Sequence, residues 1–254
     1  HIIMLAIIGG TGLSGIEEFQ HGGFKRVSTP FSDKRVIVEL YNFEDKKIAF
    51  LPRHGKGHSV PPHRINYRAN IWALHSIGVD NVLAINGVGG INPDIAPGEF
   101  LIPDQLIDYS HNRKATFFED KLKFVTHIDF THPFSQKIRE KLKSAFDSAN
   151  EKLVIKQRLT EGGVYGCTQG PRLETGAEII RLRNDGCDVV GMTGMPEASL
   201  ARELKLNYAM LALSTNWAAG LGESEISLSQ IESVVKDGMK FIVEVLKSYL
   251  RCHA

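Results

Sequence analysis

Strand-sized apolar runs alternate with polar or glycine-rich stretches along most of the chain. Buried strands are predicted at residues 5–8, 82–85, 188–191 and 207–213. Apolar positions at helical spacing predict amphipathic helices at 67–78, 134–149 and 197–204, and a last helix from Ser227 to Leu250. These elements together predict one large α/β domain.

The other β-type stretches predict a hairpin and further strands. Residues 35–40 and 47–51 flank a turn at 42–45, which is typical of a hairpin. Strands are also predicted at 163–168 and 99–107, and the latter is followed by a polar loop that extends to residue 132. Loops of this length in a compact domain are usually functional or interfacial.

Composition narrows the class of protein without naming a function. The 254 residues are 43% hydrophobic and 23% charged, and a net charge of +1 gives no reason to expect nucleic acid as a partner. We expect one domain over residues 1–254, with residues 1–3 preceding the natural start at Met4. Three cysteines without metal-type spacing, and no membrane or signal segment, favour the cytoplasm.

A glycine loop follows the first predicted strand and suggests an alternative function, the binding of a dinucleotide. Gly10, Gly12 and Gly15 have the spacing of a dinucleotide-binding fingerprint. That fingerprint requires a crossover helix, whereas residues 16–27 are short and interrupted by glycines. The loop still suits phosphate, because glycines permit a close backbone approach and Thr11 adds a hydroxyl.

Polar, glycine or methionine residues follow several of the predicted strands. They are Arg53 and His54 after residue 51, Asn86 and Gly87 after 85, Met192 and Thr193 after 191, and Asn216 after 213. Strand ends that converge at one sheet edge predict one composite site for a small molecule. No cluster of carboxylates or cysteines joins His54 and His58, so we expect no metal site.

Each of these residues also has a structural interpretation. An arginine after a strand is commonly a surface residue, and a methionine such as Met192 fills cores. Glu174 lies near a predicted helix start, where a carboxylate favourably meets the helix dipole. The residues alone leave both interpretations open.

The segments QGPRLET (169–175) and VVGMTGMPEASLARE (189–203) resemble the trimeric purine nucleoside phosphorylase and methylthioadenosine phosphorylase family. The similarity extends from Ile7 to about Lys240. It implies a single-domain purine nucleoside phosphorylase-like α/β fold, with a mixed, twisted sheet that partly closes into a barrel and is flanked by helices. It also implies a homotrimer that needs no cofactor and uses inorganic phosphate as co-substrate.

The resemblance assigns roles to individual positions. Its phosphate-binding set is Thr11, Arg53, His54, Asn86, Gly87 and Thr193. Its nucleoside contacts are Leu173, Glu174, Met192, Asn216, Ala218, Leu228 and Ile231, with His127 reaching into the neighbouring subunit. Arg53, His54 and Asn216 are the expected catalytic residues. Catalysis would rest on positioning and electrostatics, since phosphate itself attacks and the chain lacks the sequence context of a covalent nucleophile.

The base pocket favours a 6-oxopurine. Glu174 can accept a hydrogen bond from N1–H while the Asn216 amide faces O6 or N7, and adenine would leave these groups mismatched. The adenine-specific branch of the family has a serine where Glu174 stands and aspartates where Asn216 and Ala218 stand.

The residues expected near the 5' position of the ribose favour a substrate with a methylthio group there. Members that act on ordinary nucleosides hold the 5'-hydroxyl with a histidine before the last helix, where this chain offers Leu228 and Ile231. The predicted reaction is therefore S-methyl-5'-thioinosine plus phosphate to hypoxanthine plus S-methyl-5-thioribose 1-phosphate. Alternatives are phosphorolysis of inosine or guanosine, then of methylthioadenosine, and a non-catalytic nucleoside- or dinucleotide-binding module.

Overall fold

The computed structural model describes residues 5–10, 13, 15–120 and 125–253. Its strands are β1 (Leu5–Gly9), β2 (Gln20–Thr29), β3 (Ser32–Phe43), β4 (Lys46–Pro52), β5 (Asn81–Gly90), β6 (Phe100–Ile102), β7 (Gln105–Asp108), β8 (Leu159–Glu161), β9 (Val164–Cys167), β10 (Val189–Gly191) and β11 (Asn207–Trp217). Its α-helices are α1 (Tyr67–Ser76), α2 (Gln136–Glu151), α3 (Gly176–Asn184), α4 (Glu197–Glu203) and α5 (Leu228–His253). Two short 3₁₀ turns, Lys56–His58 and Pro62–Arg64, precede α1.

One mixed sheet joins the described strands in the order β2-β3-β4-β1-β5-β10-β9-β7, with β11, β6 and β8 branching from β5. The central strand β5 pairs in parallel with β11 along its whole length. Its other edge pairs in parallel with β1 over residues 81–84 and antiparallel with β10 over residues 89–90. On that edge, the described strands leave residues 85–88 without a partner, so the sheet opens there.

Helices cover both faces of the sheet, which explains why β1 is buried along its whole length. Every residue of β1 is buried, as expected for a parallel strand covered on both sides. Ile8 packs in a core with Leu74 of α1 and Leu200 of α4. Ile7 packs on the opposite face with residues of α2 and α5. The predicted mixed sheet flanked by helices is confirmed.

The predicted hairpin is confirmed, and other local features of the fold can be read from the contacts. β3 and β4 form the antiparallel hairpin, and residues 20–29 form strand β2 instead of the crossover helix that a dinucleotide-binding unit requires. Asn66 and Ser135 cap the starts of α1 and α2 by accepting backbone N–H bonds. None of the helices in the described part of the chain combines the length and apolar character needed to cross a membrane.

Three strand predictions were wrong in extent. β5 and β11 continue to Gly90 and Trp217, through residues predicted to lie in loops, because their backbones pair with each other there. Pro103 separates β6 from β7, where one strand was predicted, since proline has no N–H to donate to a ladder. Strand β8 was not predicted at all.

Candidate active site

The gap in the sheet beside residues 85–88 of β5 brings strand ends together. Gly9 at the end of β1 pairs with Pro52 at the end of β4, and the Arg53 N–H donates to the Gly9 carbonyl at 3.1 Å. Across the gap, β10 ends at Gly191 and leads to Thr193. Such openings between strands are where α/β sheets commonly bind ligands.

Arg53 is held in this gap by a buried carboxylate. Its Nε and Nη2 donate to the two carboxylate oxygens of Glu197 at 2.7 Å each, and Tyr208 Oη donates to the same carboxylate at 2.7 Å. The Arg53 and Glu197 side chains are each only 2% exposed. Two parallel bonds fix the plane of the guanidinium.

This pairing leaves Arg53 a permanent cation with one free edge. Burial would lower the pKa of Arg53, but the Glu197 carboxylate outweighs burial and raises the pKa above its usual value. Nη1 has only a long contact, 3.4 Å, with the Ile85 carbonyl beside the gap. An anion bound there would meet Nη1, which still has donor capacity.

Asn86 and Thr193 meet across the same gap. Asn86 Nδ2 donates to Thr193 Oγ1 at 2.9 Å, which leaves the threonine hydroxyl hydrogen for a ligand. Asn86 Oδ1 is buried and has no hydrogen-bond partner. Because buried polar atoms are rarely left unpaired, this oxygen marks a position where a ligand group is expected.

The backbone amides of Thr193 and Gly194, after β10, are already paired within the protein and do not offer an anion site. The N–H groups of Thr193 and Gly194 donate to the buried Tyr165 hydroxyl at 3.2 and 3.1 Å. The Tyr165 ring occupies the space beside Gly191 and Gly194, where a Cβ would come within 2.5 Å of it. The amides are therefore already paired, and Thr193 has its side chain to offer.

His54 lies half-buried beside Arg53. Its Nδ1 is 2.9 Å from the Val60 carbonyl oxygen, which can only accept, so Nδ1 holds the proton. Burial, and then the positive charge of Arg53, lower the pKa of His54. The ring is therefore neutral at pH 7, and Nε2 can accept a hydrogen bond from a protonated phosphate oxygen.

We predict that His54→Gln reduces the sensitivity of the fold to acid. Because its folded-state pKa is lowered, His54 takes up a proton more readily when unfolded, so its unfavourable contribution grows as pH falls below about 6.5. The difference in Tm between pH 7.5 and pH 5.5 should be smaller in His54→Gln than in the wild type. The exposed His75→Gln should keep the wild-type difference; equal differences in both variants would contradict the prediction.

Glu174 lies before α3 and is connected through Thr168 to the end of β10. Its Oε2 accepts from Thr168 Oγ1 at 2.7 Å, and the Thr168 N–H donates to the Gly191 carbonyl at 2.8 Å. Glu174 does not cap the helix: Thr175 and Glu178 form a reciprocal capping box there. A cavity of about 400 Å³ opens beside Thr168 and Glu174, and it extends toward Tyr109 and Arg181 of the outer surface. Arg53, Asn86, Thr193 and Asn216 do not line it.

Asn216 approaches from β11. Its Oδ1 accepts from Thr215 Oγ1 at 2.7 Å, and its Nδ2 donates to the Trp217 carbonyl at 2.8 Å. One N–H and one lone pair of the amide remain for a ligand. The loop after β11 adjoins the start of α3, since a Cβ on Gly220 would lie 3.6 Å from Gly176 Cα.

Three other predicted site residues, Met192, Gly87 and Ala218, make packing contacts near the strand ends. Met192 is half-buried, and its sulfur lies against Gly170, where a Cβ would be 2.5 Å away. Gly87 is exposed beside the Thr215 methyl. Ala218 is buried against Gly89 and Val190.

The remaining predicted contacts lie at the surface or outside the described chain. Leu173 and Leu228 are 45% and 72% exposed, His127 is exposed and Ile231 is half-buried. Thr11 lies outside the described residues. Their roles stay predictions.

Several residues of the site were missed from the sequence: Glu197, Tyr208, Tyr165, Thr168 and Arg113. Glu197 follows Pro196 at a helix start, where a carboxylate has an ordinary explanation. One feature of the sequence could have indicated Glu197: it is an acidic residue in a mostly apolar stretch, four positions after Thr193. No group of three or more potential metal-ligating side chains occurs in the part of the chain that the structure describes.

Comparisons with known proteins identify relatives over nearly the whole chain. A probable S-methyl-5'-thioinosine phosphorylase of Pseudomonas syringae pv. tomato is 50% identical over 234 residues, 92% of this chain and 93% of that protein. The 6-oxopurine nucleoside phosphorylase of Pyrococcus furiosus is 43% identical over 249 residues, 95% of this chain and 90% of that protein.

A solved structure and a family model extend the comparison to the fold. Methylthioadenosine phosphorylase from Schistosoma mansoni in complex with adenine has a TM-score of 0.89 at 31% identity, covering 98% of this chain and 91% of that chain. The family model described as the phosphorylase superfamily matches residues 4–251. The chain therefore belongs to the phosphorylase superfamily.

Proposed function

We propose that this protein is a nucleoside phosphorylase that cleaves the N-glycosidic bond of 6-oxopurine nucleosides with inorganic phosphate, in purine salvage. The observation that carries this proposal is a fixed arginine beside a buried amide oxygen that has no partner, at the gap in the sheet. Arg53, fixed by Glu197, offers a cationic edge beside Asn86 and Thr193, whereas Glu174 offers a carboxylate beside a cavity. The names of the relatives from Pseudomonas and Pyrococcus support this assignment.

Each group has a role in this reaction. Phosphate, held by Arg53 Nη1 and the Thr193 hydroxyl, attacks the anomeric carbon as the bond to the purine breaks. Negative charge then develops on the purine, and Asn216 stabilises it by donating a hydrogen bond at N7 or O6. Glu174 accepts from N1–H and so selects a 6-oxopurine.

We further propose S-methyl-5'-thioinosine as the preferred nucleoside, hypoxanthine and S-methyl-5-thioribose 1-phosphate as the products, and a single-domain cytoplasmic homotrimer that needs no cofactor. Leu228 is 72% exposed in one chain, and apolar side chains gain free energy when water is removed from them. A methylthio group and a neighbouring subunit, with His127 at the junction, would cover it.

The test is hypoxanthine release from S-methyl-5'-thioinosine, with and without phosphate, beside inosine and methylthioadenosine. Strong phosphate-dependent release from the first substrate alone is the expected result. Preference for inosine would overturn the role of Leu228 and Ile231, and preference for methylthioadenosine that of Glu174 and Asn216. Absence of release from all three would reject the enzyme in favour of a binding module.

A further inference from the structure

The loop after β7 carries an arginine whose hydrogen bonds go mainly to backbone carbonyls of two other segments. Arg113 Nη1 donates to the carbonyls of Met192 and Met195 at 2.8 and 2.7 Å. Its Nη2 donates to the carbonyls of Gln169 and Thr168 at 2.8 and 3.3 Å. One guanidinium thus joins the segment after β9 to the segment after β10.

Further contacts fix the orientation of this guanidinium. Arg113 Nε donates to Gln169 Oε1 at 3.0 Å, and Nη1 is 3.2 Å from the Tyr67 hydroxyl. The group also lies over the Tyr67 ring, 5.5 Å from its centroid. The five N–H donors of a planar fork serve these six acceptors, with the two N–H groups of Nη1 shared among three of them. The three donors of a lysine ammonium radiate from one point instead.

The two joined segments belong to opposite halves of the site. Thr168 binds the Glu174 carboxylate, and Thr193, between Met192 and Met195, binds Asn86. The segments also pack closely, since Gly170 has φ +59° and leaves no room for a Cβ against the Met192 sulfur. Backbone pairing of β9 with β10 joins the two segments where they start, and Arg113 joins them beyond the ends of those strands.

We propose that Arg113 is a positioning residue that fixes the spacing between the base-recognising and phosphate-binding halves of the site. The proposal rests on the proposed function, because it assigns those two halves to one nucleoside and one phosphate. Attack at the anomeric carbon requires both reactants in a narrow geometry, and a misplacement of about 1 Å can lower a rate by about 100-fold.

Arg68 provides a matched control. It anchors the same loop from α1, through Glu119 at 2.8 Å and the Thr116 carbonyl at 3.4 Å, but these contacts lie away from the two site segments. Arg113→Ala and Arg68→Ala therefore each remove one arginine anchor of the loop. Only the former removes the hydrogen bonds by which an arginine joins segments 168–170 and 192–195.

The first measurement is amide hydrogen exchange of these segments by mass spectrometry. We expect exchange at 168–175 and 192–196 to accelerate together in Arg113→Ala and to stay near wild type in Arg68→Ala. Unchanged exchange at either segment, or equal acceleration in both variants, would overturn the proposal. Hydrogen exchange does not require turnover, so it tests whether Arg113 joins the two segments even if the wild type releases no base. A wild type that releases no base would count against the proposed function alone.

Kinetics with S-methyl-5'-thioinosine and phosphate provide the second measurement. We expect kcat/KM of Arg113→Ala to fall by about 100-fold, with partial recovery when ethylguanidine is added, and Arg68→Ala to remain within severalfold of wild type. Arg113→Lys keeps the charge and tests the same point if the alanine variant does not fold. Its kcat/KM should be little higher than that of Arg113→Ala. Full activity of either Arg113 variant would contradict the proposal, as would an equal loss in Arg68→Ala.

Discussion

Arg53→Met and Glu197→Gln should each be less stable than the wild type by about 3–5 kcal/mol, because each leaves one member of a buried ion pair without its partner. The double variant Arg53→Met/Glu197→Gln should recover much of this loss. Glutamine removes the charge yet keeps an oxygen that can accept from the Tyr208 hydroxyl. Urea unfolding of the three variants measures the effect.

Activity should not recover with stability. Arg53→Met and the double variant lack the guanidinium that Arg53 presents to phosphate. Glu197→Gln keeps the guanidinium but removes the carboxylate that fixes it. A hydrogen bond to a charged group contributes about 1.5–3 kcal/mol, so the KM for phosphate should rise about 10- to 100-fold in Arg53→Met and in the double variant. The KM for the nucleoside should change less.

The double variant separates folding from phosphate binding. If it is stable but its phosphate dependence equals that of the wild type, Arg53 does not bind phosphate. If it is no more stable than the single variants, the two side chains do not act as a pair. Arg158→Met, which removes an exposed partner of Glu99, should leave both stability and phosphate dependence near wild type, since such pairs contribute little.

Asn216→Asp should shift selectivity from 6-oxopurine to adenine nucleosides by about 100-fold in the ratio of kcat/KM values. Asn216 can donate to O6 of a 6-oxopurine, whereas a carboxylate there repels O6 and accepts from the 6-amino group of adenine. Losing one hydrogen bond and gaining another of about 1.5 kcal/mol each amounts to roughly two orders of magnitude.

The comparison uses S-methyl-5'-thioinosine and methylthioadenosine at saturating phosphate. Asn207→Asp is the matched control: it makes the same chemical change at the exposed start of β11, where Asn207 contacts Asn81, and should leave the ratio at its wild-type value. An unaltered ratio in Asn216→Asp would remove Asn216 from the base pocket.

Hydrophobic patterning predicted the central elements of the fold well. Buried strands such as β1 consist of consecutive apolar residues, and amphipathic helices such as α2 show their apolar face in the sequence itself. The polar and glycine residues of 86–90 gave the wrong boundary, because their strand pairing depends on neighbours distant in the chain. Where side chains are small or polar, the hydrophobic pattern does not show which residues form backbone hydrogen bonds in a sheet.

Within the site, Arg53, Asn86, Thr193, Glu174 and Asn216 were predicted from the sequence because they match a family pattern and because polar residues that follow buried strands often face ligands. The chain itself therefore determined most of the elements and the family to which the protein belongs, although Asn86 and Asn216 lie within β5 and β11 and do not follow them. The tertiary structure alone decided their partners: Glu197 beside Arg53, Tyr165 on the amides of Thr193 and Gly194, and Arg113 across two loops. These contacts join residues far apart in sequence, and which buried polar group pairs with which is settled only when the sheet and helices bring them within hydrogen-bonding distance.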